Sequence, residues 1–305
     1  MVKMSDNTRG SLMMMGAMAA FTLNDTCLKL LFDEMPLFQA LFLRGVGVVA
    51  TMSVLAGLWG GAHFRLPLRD WGLIGLRTLA EIGAAYFFLA ALVYMPLANV
   101  SAVMQALPLT VTLGGALVFR EAIGWRRMLA ILVGFMGVML IIRPGPDGFN
   151  LYSIMVVISV LCVTVRDLAT RGMSVAVPSM TVSLCAGIGV MGFFGLASLT
   201  DTWVMPSTEG VFQLLGSSAF VIAGYMLGVT SMRVGDLAVT APFRYTGMLW
   251  ALVLGFVIWG DWPDQLTFLG AAIIIATGIF TLYRERRLAA NATVSKALAQ
   301  SVEPR

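Results

Sequence analysis

The sequence is poor in the polar residues that cover a soluble protein. Only 12% of the 305 residues are charged and one is a histidine, whereas 59% are hydrophobic. A soluble domain of this size needs far more charge on its surface, so the apolar excess indicates burial in lipid. The composition therefore predicts an integral membrane protein whose main partner is the lipid bilayer.

Motifs of catalysis, metal binding and nucleotide binding are also missing. The single histidine, His63, lies in a connector, which excludes an HExxH motif and a Ser-His pair within a span. Cys27, Cys162 and Cys185 lie in apolar stretches without CxxC spacing. The net charge of +4 comes from residues between apolar runs, so no nucleic-acid partner is expected. We expect neither an enzyme nor a cofactor or metal site.

Long apolar stretches with short connections make up most of the chain. Stretches of about 20 residues are long enough for a helix to cross a bilayer once. Ten are predicted, at 10–32, 36–58, 71–93, 97–119, 126–143, 150–170, 178–200, 210–232, 236–259 and 265–283. The predicted fold class is an all-α membrane protein with ten transmembrane helices.

The basic residues of the connectors are distributed unequally between the two sides of the membrane. If the N-terminus is cytoplasmic, most arginines and lysines of the connectors, such as Arg65 and Arg126, fall on the cytoplasmic side. Acidic residues such as Asp33 and Asp201 then fall on the opposite side. The positive-inside rule therefore predicts a multi-pass protein of the bacterial inner membrane with both termini cytoplasmic.

The layout of the spans repeats after about 140 residues. Because five spans per half is an odd number, the second half enters from the opposite face, which gives two inverted five-helix repeats. We predict repeats at 1–147 and 148–287, followed by a disordered cytoplasmic tail at 288–305. Inverted repeats are typical of secondary carriers, which bind a small molecule near the membrane centre and work by alternating access.

Two acidic span ends carry a family resemblance. The segments LVFREAIGWRR (117–127) and VIWGDWPDQ (257–265), set in ten spans, resemble the drug/metabolite transporter superfamily and its EamA-type branch. The resemblance covers about residues 10–287 and implies a carrier for amino acids or other small metabolites around a central cavity. The segments FTLNDTCLKLL (21–31) and LFLRG (41–45) resemble a subgroup that includes S-adenosylmethionine and riboflavin carriers.

Polar and ionisable residues inside the spans are the candidate substrate-binding residues, because such groups persist in a membrane mainly beside a partner or a wet cavity. Arg44 and Arg244 are the main candidates. The others are Tyr245, Asn24, Asp25, Tyr86, Gln105, Glu81 and Arg77. In the alternative interpretation these arginines are neutralised in a structural network, above all Arg77 by Glu81 at i+4. Arg166 and Asp167 are placed near the cytoplasmic end of the sixth span.

Lys29 has two interpretations. It lies four residues after Asp25, a spacing that favours a local ion pair, and it also lies near a span end, where a lysine can reach the surface.

The count of deep charges gives a surplus of arginine and lysine, which predicts a substrate with an acidic group, such as an amino acid or related metabolite. The alternatives are a carrier for a larger ring-containing metabolite such as riboflavin or S-adenosylmethionine, and an uncoupled facilitator or channel. Proton coupling through Asp25 or Glu81 stays open. The sequence leaves open whether the protein is a monomer or a homodimer.

Overall fold

Ten membrane-length helices are formed by the residues that the structure describes. A computed structural model of the chain describes residues 5–59, 64–120, 124–142, 151–174, 176–235 and 237–302. The first five helices are α1 (Asp6–Leu31), α2 (Leu37–Trp59), α3 (Leu68–Tyr94), α4 (Leu97–Met104 and Leu107–Phe119) and α5 (Trp125–Ile142). The second five are α6 (Leu151–Gly172), α7 (Ser179–Ala197), α8 (Thr208–Val234), α9 (Leu237–Thr240, Ala241–Tyr245 and Thr246–Trp259) and α10 (Gln265–Val302). The fold class predicted from the sequence is confirmed.

Among the described residues, nine of the ten helices are long and apolar enough to span a membrane by composition alone. The exception is α1, where Asn24 and Asp25 lower the mean hydropathy in the middle of the helix. Because α1 packs along α8 and contacts α9, its polar residues are enclosed by protein rather than by lipid. The helix that looks least like a span is therefore the one at the centre of the bundle.

The two halves interlock in equivalent pairs. Helix α1 packs against α8, and its counterpart α6 packs against α3 in the same way. Both pairs are antiparallel, because Ser231 Oγ donates to Gly10 O at one end of the first pair and Tyr94 stacks on Tyr152 at 4.3 Å at one end of the second. Helices α2 and α7, α4 and α9, and α5 and α10 pair across the same pseudo-twofold axis. This interleaving is the inverted-repeat arrangement that the span layout predicts.

Helices α5 and α10 approach closely through small residues. A Cβ on Gly137 would clash with the carbonyl oxygen of Gly270, and a Cβ on Gly270 would clash with that of Gly137. Glycine at both positions allows the two backbones to touch, as is common in membrane bundles.

Two helices are interrupted at equivalent places. Helix α4 breaks at Gln105 and Ala106, just before Pro108, and α9 passes through a 3₁₀ segment, Ala241–Tyr245, that contains Pro242. Proline removes a backbone donor and clashes with the preceding turn, so it favours such breaks. Interrupted helices in membranes occur where the freed backbone groups face protein or a cavity.

The last helix extends beyond the bilayer. The backbone of α10 is helical to Val302, whereas the sequence predicted a disordered tail at 288–305. The physical reason lies in the composition, because the alanines of the segment LAANATVSKALAQ are strong helix formers. The boundary between the repeats at 147 and 148 lies outside the described residues and stays a prediction.

Candidate substrate-binding site

Three neighbouring pockets, called lobes here because they share lining residues, form the cavity region between the two halves. The central lobe, about 420 Å³, lies among α1, α2, α3, α6, α8 and the breaks in α4 and α9. The break lobe, about 370 Å³, lies beside the interruptions of α4 and α9. The lateral lobe, about 210 Å³, lies between α2, α3, α7 and α8. The central and break lobes each have a volume in the range of pockets that bind drug-sized molecules.

The middle of α1 supplies the first polar group. Asn24 Nδ2 donates to Asp25 Oδ1 at 2.8 Å, and both residues line the central lobe. Asn24 is buried, and its Oδ1 has no hydrogen-bond partner among the described residues. Arg44 of α2 lines the same lobe, interacts electrostatically with Asp25, and also has an unpaired Nε. A buried acceptor and a buried donor are thus both available to a ligand.

A network of charges lies on α3 and α6. Glu81 Oε1 accepts a hydrogen bond from Arg166 Nη1 at 3.2 Å, and Glu81 Oε2 lies 3.6 Å from Arg77 Nη2. Arg166 Nε also donates to Asp167 Oδ1 at 2.9 Å. Glu81 and Arg166 line the central lobe, whereas Arg77 lines only the lateral lobe and donates to Thr170 Oγ1 at 3.2 Å. The arginines of this network are therefore largely neutralised by carboxylates.

The helix breaks supply the third polar group. Arg244, in the break of α9, lines both the central lobe and the break lobe, and its side chain is exposed to that space. Gln105, in the break of α4, donates to the Tyr245 carbonyl oxygen at 3.2 Å and so joins the two interruptions. Tyr245 lines the break lobe, but its hydroxyl is buried without a hydrogen-bond partner among the described residues.

Tyr86 lies outside the cavity, contrary to the prediction, and one of the two interpretations of Lys29 is excluded. Tyr86 is not in the lining of the three lobes; it stacks on Phe38 with ring centroids 6.0 Å apart. The cavity face of α3 is formed instead by Glu81, Ala85 and Phe88, and Tyr86 lies off this stripe. Lys29 does not pair with Asp25, because its Nζ donates to the carbonyl oxygens of Leu92 and Met95 at the end of α3.

The structure adds three residues to the predicted site. Arg166 lines the central lobe, Asp167 lines the break lobe, and Tyr225 of α8 lines the central and lateral lobes. Tyr225 also contacts Phe21 edge to face, with ring centroids 5.2 Å apart. With Lys29 removed, the lining contains four arginines (Arg44, Arg77, Arg166 and Arg244) and three carboxylates (Asp25, Glu81 and Asp167).

An internal repeat could have revealed Arg166 and Asp167. The segment TLNDTCLK (22–29) aligns without gaps with TVRDLATR (164–171), so that Asp25 corresponds to Asp167 and Asn24 to Arg166. The hydrogen bond from Asn24 to Asp25 has its counterpart in that from Arg166 to Asp167. The two dipeptides therefore form equivalent polar groups on the inverted halves.

No cluster of three metal-binding side chains occurs within the described parts of the chain. A bundle of inverted repeats around a central polar cavity is instead the architecture of a membrane transporter for small molecules.

The comparisons with known proteins give the family. Residues 8–143, which comprise α1 to α5, match the EamA-like transporter family. Residues 8–143 thus carry an EamA-like transporter domain, which agrees with the resemblance of the sequence to the drug/metabolite transporter superfamily. A protein of known crystal structure has the same fold, with a TM-score of 0.61 and 18% identity over 92% of this chain and 99% of that one.

Several proteins with named functions are similar to this chain at low sequence identity. The S-adenosylmethionine uptake transporter of Rickettsia conorii is 26% identical over 63% of this chain. The aligned region spans 65% of that relative, slightly less than two thirds of its length. The riboflavin transporter of Vibrio cholerae is 28% identical over 79% of this chain and 80% of the relative. The pseudopaline exporter of Pseudomonas aeruginosa is 25% identical over 70% of this chain and 76% of the relative.

Proposed function

We propose that this transporter carries a ring-containing metabolite with a zwitterionic head group, the chemical class of S-adenosylmethionine, by alternating access. The observation that carries the proposal is the wall shared by the central and break lobes. Seven residues line both lobes: Met18, Phe21, Asp25, Phe88, Met104, Leu107 and Arg244. This set contains one acidic residue, one basic residue, and a surface of aromatic and thioether side chains.

The charged residues of the shared wall match the two ends of an amino-acid head group. Arg244 offers a guanidinium to a carboxylate, a pairing that is often bidentate. Asp25 offers a carboxylate to an ammonium or sulfonium group. Because Glu81 and Asp167 neutralise much of the remaining positive charge, the site suits a zwitterion better than a multiply charged anion.

The apolar residues of the shared wall match a ring. Phe21 and Phe88 present aromatic surfaces, and Met18 and Met104 add polarizable thioethers beside them. An amino acid alone, the first prediction from the sequence, would leave much of a 420 Å³ lobe unfilled. The names of the S-adenosylmethionine and riboflavin relatives support the larger ligand in the same way.

The proposal is tested by binding and counterflow. Purified protein is heated with S-adenosylmethionine, methionine, adenosine or riboflavin, and saturable counterflow of any protecting ligand is measured in liposomes. We expect S-adenosylmethionine to protect more than either fragment. Arg244→Glu should abolish transport, whereas Arg126→Gln, a surface arginine that stacks on Trp125 at 5.2 Å, should leave it unchanged. Wild-type transport by the Arg244→Glu variant would refute the assignment.

Riboflavin is the second candidate, because its transporter aligns over more of this chain. Riboflavin has no carboxylate, so flavin transport should depend little on the charge of Arg244. Protection by riboflavin alone, retained in Arg244→Gln, would favour this candidate. Ion current without counterflow would instead indicate a channel.

Several coarser expectations belong to the same proposal. We propose location in the bacterial inner membrane with both termini cytoplasmic, on the basis of the connector charges. The repeats at 1–147 and 148–287 act as the two halves that move relative to each other. The chain needs no catalytic residue for this role, and proton coupling through Asp25 or Glu81 is tested by the dependence of counterflow on a pH gradient.

A further inference from the structure

Two cation–aromatic contacts lie outside the cavity. Lys29 Nζ, on α1, lies 5.3 Å from the ring centroid of Trp259 at the end of α9. Arg171 Cζ, on α6, lies 5.0 Å from the ring centroid of Phe119 at the end of α4. Each contact joins the end of an unbroken helix that lines the cavity to the end of an interrupted helix.

The two contacts are equivalent by sequence. Lys29 and Arg171 are the last residues of the aligned segments TLNDTCLK and TVRDLATR. Trp259 and Phe119 are the last residues of α9 and α4. The residue types differ between the two halves, but each half has a cation packed over an aromatic ring at this place.

The contacts lie at opposite ends of the bundle. Lys29 reaches Leu92 and Met95 at the end of α3, so α1 and α3 finish on the same side. Helices α3 and α6 are antiparallel, since Ser174 N, just after α6, donates to Asp70 Oδ1 in the first turn of α3 at 3.2 Å. The end of α6, with Arg171, therefore lies on the side opposite to Lys29.

Each contact is also linked to the site. Lys29 follows Asp25 by one helical turn, and Arg171 follows Asp167 by the same distance. On the aromatic side, α9 carries Arg244 and α4 carries Gln105 in their breaks. A ligand that contacts these site residues therefore binds to α1, α4, α6 and α9. These are the same helices whose ends the two cation–aromatic contacts join.

We infer that the Lys29–Trp259 and Arg171–Phe119 contacts are the two closures of the cavity, one at each membrane face, and that they open in turn. This inference rests on the proposed carrier function. A cation over an aromatic ring at a partly exposed site is a weak interaction, so it can break and re-form in each cycle. Because the halves are inverted copies, breaking one contact opens one face only.

The test measures access to the cavity without any ligand. In a background with Cys27, Cys162 and Cys185 replaced by alanine, Ala85→Cys places one thiol at the boundary of the central and lateral lobes. A membrane-impermeant maleimide is applied separately to right-side-out and inside-out vesicles. We expect Trp259→Leu to raise labelling about fivefold from one face and Phe119→Leu to raise it about fivefold from the other.

Matched variants separate closure from general loosening. Trp262→Leu removes an exposed tryptophan that follows Trp259 by three residues and packs against Phe256 and Phe268, so labelling should stay at the parental rate. Trp259→Phe and Phe119→Tyr keep an aromatic face and should restore low labelling. Lys29→Met should raise labelling from the same face as Trp259→Leu, and Arg171→Met should raise it from the same face as Phe119→Leu. Monodispersity in detergent shows that each variant folds.

Increased labelling from the same face in both leucine variants, or none in either folded variant, would overturn the inference. Since no metabolite is used, failure of S-adenosylmethionine and riboflavin to bind would refute the proposed substrate class but not the closures. Conversely, ligand protection with unchanged labelling would refute the closures alone.

Discussion

In α1 and α6 one polar sequence pattern recurs, whereas α3 and α8, which also occupy equivalent places in the two halves, differ in charge. Helix α3 brings Arg77 and Glu81 into the bundle. The charged residues of α8, Glu209 and Arg233, lie near its two ends, and Tyr225 lines the cavity instead. The two halves therefore share the helix arrangement and the cation–aromatic contacts, whereas the charged residues of the site differ between them.

Because of this divergence, charge is distributed unequally over the two sides of the site, which would not occur between two identical repeats. Helices α2 and α3 of the first half supply Arg44, Arg77 and Glu81, whereas no charged residue occurs in α7, Ser179–Ala197. A symmetric site would suit a symmetric ligand. The observed site suits a ligand whose two ends differ, as in the proposed metabolite.

The largest expected effect comes from removing the carboxylate of Glu81, which α3 has inside the bundle and α8 lacks. Glu81→Leu leaves Arg77 and Arg166 without their shared counter-charge in a region where only about a fifth of each side chain is exposed. Breaking a buried ion pair in this way destabilises a protein by roughly 3 kcal/mol. We expect loss of transport and a clearly lower Tm in detergent, measured by counterflow and by thermal unfolding.

The matched control for this prediction is the carboxylate near the start of α8. Glu209 is exposed, and Gln213 Nε2 donates to its Oε1 at 3.5 Å, outside the cavity. Glu209→Leu should therefore leave both transport and Tm unchanged. Equal effects of the two substitutions would show that the charge asymmetry of α3 and α8 has no role.

Much of the fold follows from the sequence because helix length and apolarity are local properties. The starts and ends of the ten spans are predicted to within about four residues, except for the extension of α10. The interruptions of α4 and α9 coincide with Pro108 and Pro242, which are visible in the sequence. The pairing of α1 with α8 and α3 with α6 is not local, and follows only from the inverted symmetry.

The residues that line the cavity were predicted in part, because the depth of a residue in a span can be read from the sequence, whereas its rotation about the helix axis cannot. Asn24, Asp25, Arg44, Glu81 and Arg244 line the cavity as expected from their depth. Tyr86 is equally deep but faces α2, because a rotation of about 100° per residue separates it from its neighbour Ala85. Arg166 was placed too near the surface, although it lies as far from the end of α6 as Asp25 lies from the end of α1.

A smaller effect is expected at the two carboxylates that tie the helix ends. Asp70, in the first turn of α3, accepts a hydrogen bond from Ser174 N, and Glu34, after α1, accepts hydrogen bonds from Ser207 N and Oγ at the start of α8. These ties lie at opposite ends of the bundle. Asp70 is only 3% exposed, whereas the contact of Glu34 with Ser207 is exposed to solvent.

Burial should decide which tie matters more. Asp70→Ala removes a buried carboxylate and the hydrogen bond that it accepts from Ser174 N, and should cost roughly 2 kcal/mol. Glu34→Ala should cost less than about 1 kcal/mol, because water replaces the exposed carboxylate. Thermal unfolding of both variants checks the order. A larger loss in Glu34→Ala would mean that the end closed by Lys29 and Trp259 is the more rigid one.

The smallest effects concern the joined helix breaks, where the two halves are again unequal. Gln105→Leu removes the hydrogen bond to the Tyr245 carbonyl and should cost about 1 kcal/mol.

Tyr245→Phe removes a buried hydroxyl that has no partner within the described chain, so Tm should stay level or rise by roughly 2 °C. If Tyr245→Phe keeps its stability but raises the KM of counterflow severalfold, the hydroxyl donates to the ligand in the break lobe. An unchanged KM would leave Tyr245 as a packing residue and assign the polar contacts of that lobe to Arg244, Asp25 and Asp167.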